Sequence, residues 1–168
     1  YEVLGWGGYW AWDPVENVSF IPWLLATAFL HSAKIQKTQN TLLNWNYILV
    51  GLMFLSTLFG TFITRSGVLI SVHAFSNGNI GTYLLFGMLI FGLIFIAIGS
   101  KNIEYFSKSK KIDNWFGKSG FFVFNNIFLF SSALVIFIGT IFPLIYETLY
   151  SRQITVGRAY YDILVGPL

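Results

Sequence analysis

Four stretches of this chain are too long and too apolar to face water. They run from about residue 14 to 33, 42 to 63, 80 to 99 and 121 to 146. A helix needs about 20 such residues to cross the hydrocarbon of a bilayer, and each stretch supplies them. The third, Ile80 to Gly99, contains no charge at all, while the fourth carries Asn125 and Asn126 near its start and Pro143 near its end. Only 10% of the residues are charged, against about 25% in soluble domains. The expected fold is therefore an all-α polytopic membrane protein. It has about four transmembrane helices in a single membrane domain over residues 1–168.

The basic residues orient the spans. Lys34 and Lys37 follow the first, and Lys101, Lys108, Lys110, Lys111 and Lys118 follow the third. Both connections lie on one side, leaving Arg65, Arg152 and Arg158 for the other. Lysine-rich connections stay on the cytoplasmic or matrix side. The residues ahead of the first span, the Arg65 to Asn79 loop and the C-terminal tail then face the periplasm or intermembrane space. A net charge of +3 gives nucleic-acid binding no support. The absence of cysteine excludes thiolate metal sites, disulfides and a cysteine nucleophile within the sequence. The chain begins at Tyr1 rather than Met, which suggests processing, a split gene or a piece of a longer protein. Its richness in Phe, Ile, Asn and Lys hints at the AT-biased genome of an organelle.

Ahead of the first span stands Trp6-Gly-Gly-Tyr-Trp-Ala-Trp-Asp-Pro-Val-Glu-Asn-Val18. Trp6, Trp10 and Trp12 fall within seven positions. Tryptophan belts mark many membrane interfaces, and Trp23, Trp45 and Trp115 need no other reading. Gly7-Gly8 argues for more, because glycine permits close backbone approach or positive φ. Large aromatic faces can also stack on a porphyrin. Asp13-Pro14-Val15-Glu16 has the form of a helix start, with Asp13 as the N-cap and Glu16 completing a capping box. Capping is the preferred role for Asp13 over an acid/base pairing with Glu16.

Three other residues have chemical potential. His31 lies inside the first span, where an ionisable residue is a functional candidate; it is either a haem-iron ligand or a histidine bonded to a neighbouring helix. His73, in Ser71-Val-His-Ala-Phe75, sits in an apolar outer segment, as a ligand or as an ordinary interfacial histidine. Arg65 after the second span suits a bidentate carboxylate contact such as a haem propionate, or it snorkels. A short echo between Gly60-Thr61-Phe62 and Gly139-Thr140-Ile141 reads as helix-packing chemistry, and Ser107 to Asp113 as a short flexible loop.

Residues 5–24 resemble the tryptophan-rich signature of the CcmF-type cytochrome c haem lyases. His31-Ser32, Gly60 to Phe75 and Gly139-Thr-Ile-Phe-Pro143 resemble further motifs of that family, in the same order. Tyr9 and Ala11 depart from the usual residues of the signature. The resemblance implies the last step of cytochrome c maturation, in which haem vinyl groups form thioethers with the cysteines of apocytochrome c. It implies His73 as a ligand of the incoming substrate haem, held against Trp6, Trp10, Trp12 and Asp13, with Arg65 nearby. It implies His31 as a ligand of a structural haem b within the membrane.

The resemblance further implies as partners the haem chaperone CcmE, a CcmH-like thiol protein, apocytochrome c and membrane lipid. Other CcmF polypeptides would supply the missing haem ligands, because this chain has only two histidines. The expected location is the mitochondrial inner membrane or a bacterial plasma membrane. A non-catalytic structural subunit of a larger inner-membrane respiratory or assembly complex is the alternative. A CcsA-type synthase is a further one, disfavoured because Val15-Glu16-Asn17 stands where that group has Lys-Glu-Thr.

Overall fold

A computed structural model of the chain describes residues 9–68, 79–112 and 114–167. Among the described residues the secondary structure is helical, and four helices are long and apolar enough to cross a membrane: α1 (Pro14–Gln39), α2 (Leu43–Ser66), α3 (Ile80–Lys101) and α5 (Lys118–Tyr150). Two short helices accompany them, α4 (Ile103–Ser107) and α6 (Arg158–Leu164).

The helices outrun their apolar windows. Lys34 and Lys37 lie in α1 itself, not in a loop after it. Lysine is a good helix former, and its charge meets the negative end of the helix dipole. The first helix starts where the sequence says it should. Asp13 is extended (φ −60°, ψ 144°) and its carboxylate accepts from the Val15 N–H at 2.9 Å. Glu16 reaches back to the Asp13 N–H at 3.4 Å and the Ala11 N–H at 2.9 Å. The helix ends at Asn40, whose left-handed φ of 54° turns the chain sharply into α2.

The lysine-bearing segment after α3 is not a free loop. Residues Ile103 to Ser107 form α4, and the chain then folds onto the α1–α2 turn. Lys110 N–H donates to the Asn40 carbonyl at 2.9 Å, and Leu43 N–H donates to Ser109 Oγ at 3.4 Å. A connection between spans has to satisfy such turn carbonyls and amides somewhere, and this one does so with the next connection.

Helix α1 is the centre of the bundle, packed against α2 on one side and α5 on the other. Leu24, Leu25, Ala28, Leu49, Ala133 and Ile136 make the common core. Toward the N-terminal end of α1, Val18, Phe59, Phe62 and Ile63 form a second cluster, with Phe137 5.2 Å from Phe59 between ring centres. One set of polar groups buried between helices is paired: Ser32 of α1 donates to the Asn46 amide oxygen, and Asn46 donates in turn to Gln36, whereas the buried Asn126 amide of α5 has no partner among the described residues. In lipid such bonds join helices, because the apolar solvent offers no competing partner.

Among the described long helices α3 packs chiefly on α2, along a seam of glycines and rings. Gly51 faces the Phe95 ring so closely that a Cβ there would fall 2.3 Å from Phe95 Cζ. Tyr47 stacks on Phe95 at 4.1 Å and donates its hydroxyl to the Phe95 carbonyl. Of the residues of α3 only Gly81 is buried. A helix apolar on every side is at home in lipid or against other membrane helices.

Candidate functional site

The N-terminal end of α1 and the C-terminal ends of α2 and α5 converge on the described part of the tryptophan motif, where Trp12 is held by several contacts. Its φ is 57°, the left-handed region that a bulky residue rarely enters. Such a conformation costs about 1–2 kcal/mol and persists only where the surroundings enforce it. Four contacts do so. Asn17 donates from Nδ2 to the Trp12 carbonyl at 3.0 Å. The indole stacks on Tyr161, ring centres 4.8 Å apart and planes 11° from parallel. The indole N–H donates to Asp162 Oδ1 at 2.9 Å. Trp10 meets Trp12 edge to face at 5.6 Å and 87°.

Trp10 and Trp12 therefore form a corner rather than one flat wall, and Trp10 continues edge-on to Phe20. Trp6 lies outside the described residues, as does His73. Tyr9 and Trp10 are exposed at the rim.

Charge puts the C-terminal tail on the same side as this motif, but no local signal in the sequence joins the two. Helix α6 docks on α5 and presents Tyr161 and Asp162 to Trp12. The docking depends on Gly139, where a Cβ would fall 2.6 Å from Tyr160 Cε1 and 2.8 Å from Tyr161 Cε1. Pro143, one helical turn on, has no N–H to bond the Gly139 carbonyl, so α5 is locally loosened beneath the two tyrosines. Burial raises the Tyr161 phenol pKa above its ordinary value. The Trp12 indole, then the Arg158 guanidinium 3.0 Å away, holds the Asp162 carboxyl below its ordinary value.

A cavity of about 470 Å³ opens beside Trp12 and Tyr161, closed by Pro14, Val68, Pro143 and the Gln153 to Val156 strip. That volume lies within the range of small-molecule and cofactor sites, roughly 300–1,000 Å³. Its walls are mainly apolar, with Glu147 and Gln153 bonded to each other at 3.0 Å on one side. Arg65 stands in the last turn of α2, exposed and a short way before Val68 of the wall. Asp13 is the α1 cap with its carboxylate engaged there.

His31 is far from this corner along α1, toward the lysine-bearing C-terminal end of the helix. It is half-buried, its ring lies against Phe122 at 5.6 Å, and its Nδ1 is 2.6 Å from Asn125 Nδ2 of α5. Among the described residues nothing bonds its Nε2. An imidazole with Nε2 unengaged can take one axial position of a haem iron only in the tautomer that carries its proton on Nδ1. The described residues offer no second histidine, and they hold no group of three or more His, Asp or Glu placed to bind a metal ion. The structure thus keeps the two expected sites apart, His31 within the bundle and Trp10, Trp12 and Asp13 at its outer rim.

Comparison with known proteins finds similarity to cytochrome c assembly and biogenesis proteins. A family model described as cytochrome C assembly protein matches residues 2–71. The cytochrome c-type biogenesis protein Ccl1 of Rhodobacter capsulatus is 39% identical over 99% of this chain and 26% of its own length. The biogenesis protein CcmF of Haemophilus influenzae is 37% identical over 96% of the chain and 25% of its own. CcmF of Escherichia coli is 34% identical over 98% of the chain and 25% of its own. The chain thus spans about a quarter of the length of the curated relatives it matches. No solved structure matches it.

Proposed function

We propose that this chain is the part of a CcmF-type haem lyase that receives haem on the outer face of the membrane and holds it for attachment to apocytochrome c. The observation that carries the reading is Trp12. A tryptophan in a strained backbone conformation, gripped by Asn17, Tyr161 and Asp162 beside an apolar cavity, is built for a planar aromatic ligand rather than for an interfacial belt. Similarity to cytochrome c-type biogenesis proteins over nearly the whole chain supports it.

The task of such a site is orientation. Trp10 and Trp12 offer two walls at right angles, so a flat substrate can meet one by its face and the other by its edge. His73 is the proposed ligand that holds the substrate haem iron, and Arg65 the proposed partner of a propionate. The thioether cysteines belong to apocytochrome c, since this chain has none. CcmE as haem donor, a CcmH-like thiol protein and further CcmF polypeptides complete the proposed machinery. His31 is the proposed ligand of a structural haem b. When bound, that group would supply one-electron chemistry. The location we favour is the mitochondrial inner membrane, on the strength of the Phe-, Ile-, Asn- and Lys-rich composition, with the tryptophan motif facing the intermembrane space.

One observation favours a non-catalytic structural subunit: the chain supplies a single histidine per site. The two readings separate on one experiment. The native assembly containing the chain is purified, and its reduced-minus-oxidised and pyridine haemochrome spectra are recorded beside those of His31→Ala and His73→Ala. The lyase reading expects a b-type signal lost with His31→Ala and cytochrome c maturation lost with His73→Ala. An assembly without haem, maturing cytochrome c unchanged in both variants, establishes the structural subunit instead.

A further inference from the structure

The contact between His31 and Asn125 has a chemical consequence that neither residue has alone. A neutral imidazole carries its proton on one nitrogen, and the partner of the other nitrogen decides which. As the side chains stand, Asn125 Nδ2 donates to His31 Nδ1 across 2.6 Å. The proton is then on Nε2, and no lone pair is left there for a metal. It is also an N–H donor with no partner among the described residues, on a half-buried ring whose free nitrogen reaches the surface of the bundle.

An amide's oxygen and nitrogen ends have nearly the same shape. A half-turn of the Asn125 side chain puts Oδ1 where Nδ2 now stands without moving the backbone. His31 Nδ1–H then donates to Asn125 Oδ1, and Nε2 turns from an unpaired donor into an unpaired lone pair. That is the arrangement found around metal-bound histidines, where the second nitrogen donates to an oxygen that fixes ring and tautomer. Phe122, one turn before Asn125 on α5, limits the ring from the side. Both constraints come from α5, so the orientation of His31 is set across the α1–α5 interface rather than within its own helix.

We propose that Asn125 is the positioning residue of His31. Its side-chain amide selects the imidazole tautomer, and through it decides whether Nε2 can serve as a ligand to haem iron. The proposal rests on the reading of His31 as a haem ligand given above. Asn125 as plain helix-joining glue would leave the electronic state of a bound haem untouched, and that difference makes the idea testable.

The test uses the native assembly with Asn125→Asp, Asn125→Leu and His31→Ala in this chain. Haem b content is read from the pyridine haemochrome spectrum, midpoint potential by redox titration, and chain level by immunoblot. A carboxylate accepts more strongly than an amide oxygen and makes the imidazole a more basic ligand. Asn125→Asp is therefore expected to keep the haem and shift its midpoint potential downward. Asn125→Leu removes the acceptor and is expected to lower haem content or shift the potential upward at unchanged chain level. If Asn125→Leu fails to accumulate, the Asp variant alone decides. Wild-type content and potential in the Asn125 variants, in a preparation that loses haem with His31→Ala, overturns the positioning role and leaves the haem reading standing. Haem b retained in His31→Ala overturns the haem reading itself.

Discussion

Trp12 shows how a single residue can be legible in kind and illegible in placement. Its neighbours Asp13, Pro14 and Glu16 announce a helix start, and the capping box forms as those residues require. Nothing local announces that its indole will bond Asp162, 150 positions away. That contact is tertiary and leaves no periodicity to read. It has a pH signature whose sign is fixed by the carboxylate. Because the Trp12 indole and Arg158 hold the Asp162 carboxyl below its ordinary 3.8, the folded state binds the proton less readily than the unfolded chain. The contribution of the contact is whole above that ordinary value and disappears as pH falls through the lower folded value. Fluorotryptophan labelling with ¹⁹F NMR, the Trp12 line assigned through Trp12→Phe, is expected to show that line titrating only in this acid window. In Asp162→Asn, whose amide oxygen still accepts but does not titrate, the line should stay flat; the same titration there would remove Asp162 as the cause.

At the scale of elements, the four long helices could be read directly, since an apolar run of that length has few other fates. Their ends could not, because lysines and tyrosines continue a helix beyond its apolar window. The two short helices were hidden for another reason. Helix α6 is seven residues long, below the length at which a helix is stable alone, and it exists by packing on α5. The echo of Gly-Thr in α2 and α5 did carry information. Gly60 lies in ordinary contact with Val18, and Gly139 lies in unusually close contact with Tyr160 and Tyr161. Gly139→Val should therefore displace α6, at a cost of about 1–3 kcal/mol for overpacking, whereas Gly60→Ala should be tolerated. The measure is trypsin cleavage at Arg158 in the detergent-solubilised assembly, which should be faster in Gly139→Val than in wild type or Gly60→Ala. Equal rates in all three would mean that α6 is not held by its seat on Gly139.

For the molecule as a whole, the candidate site was partly written in sequence because chemistry and topology coincide. The lysines gather on the side where α1 ends and α4 lies, and the tryptophan corner, Arg65 and α6 share the other side. Asn125 and Asn126 stood out as polar residues in an apolar span, but pairing Asn125 with His31 required knowing that α1 packs against α5. The lysine asymmetry sets a direction that labelling can check, because the chain contains no cysteine to confuse it. Ser109 and Ser151 are suitable reporters, one beside the inner turn and the other at the C-cap of α5. In right-side-out vesicles a membrane-impermeant maleimide is expected to modify Ser151→Cys and to spare Ser109→Cys until the membrane is permeabilised. The opposite pattern would place the tryptophan corner on the lysine side, where charge-directed insertion would not put it, and would take the proposed haem-receiving face away from the compartment in which apocytochrome c is met.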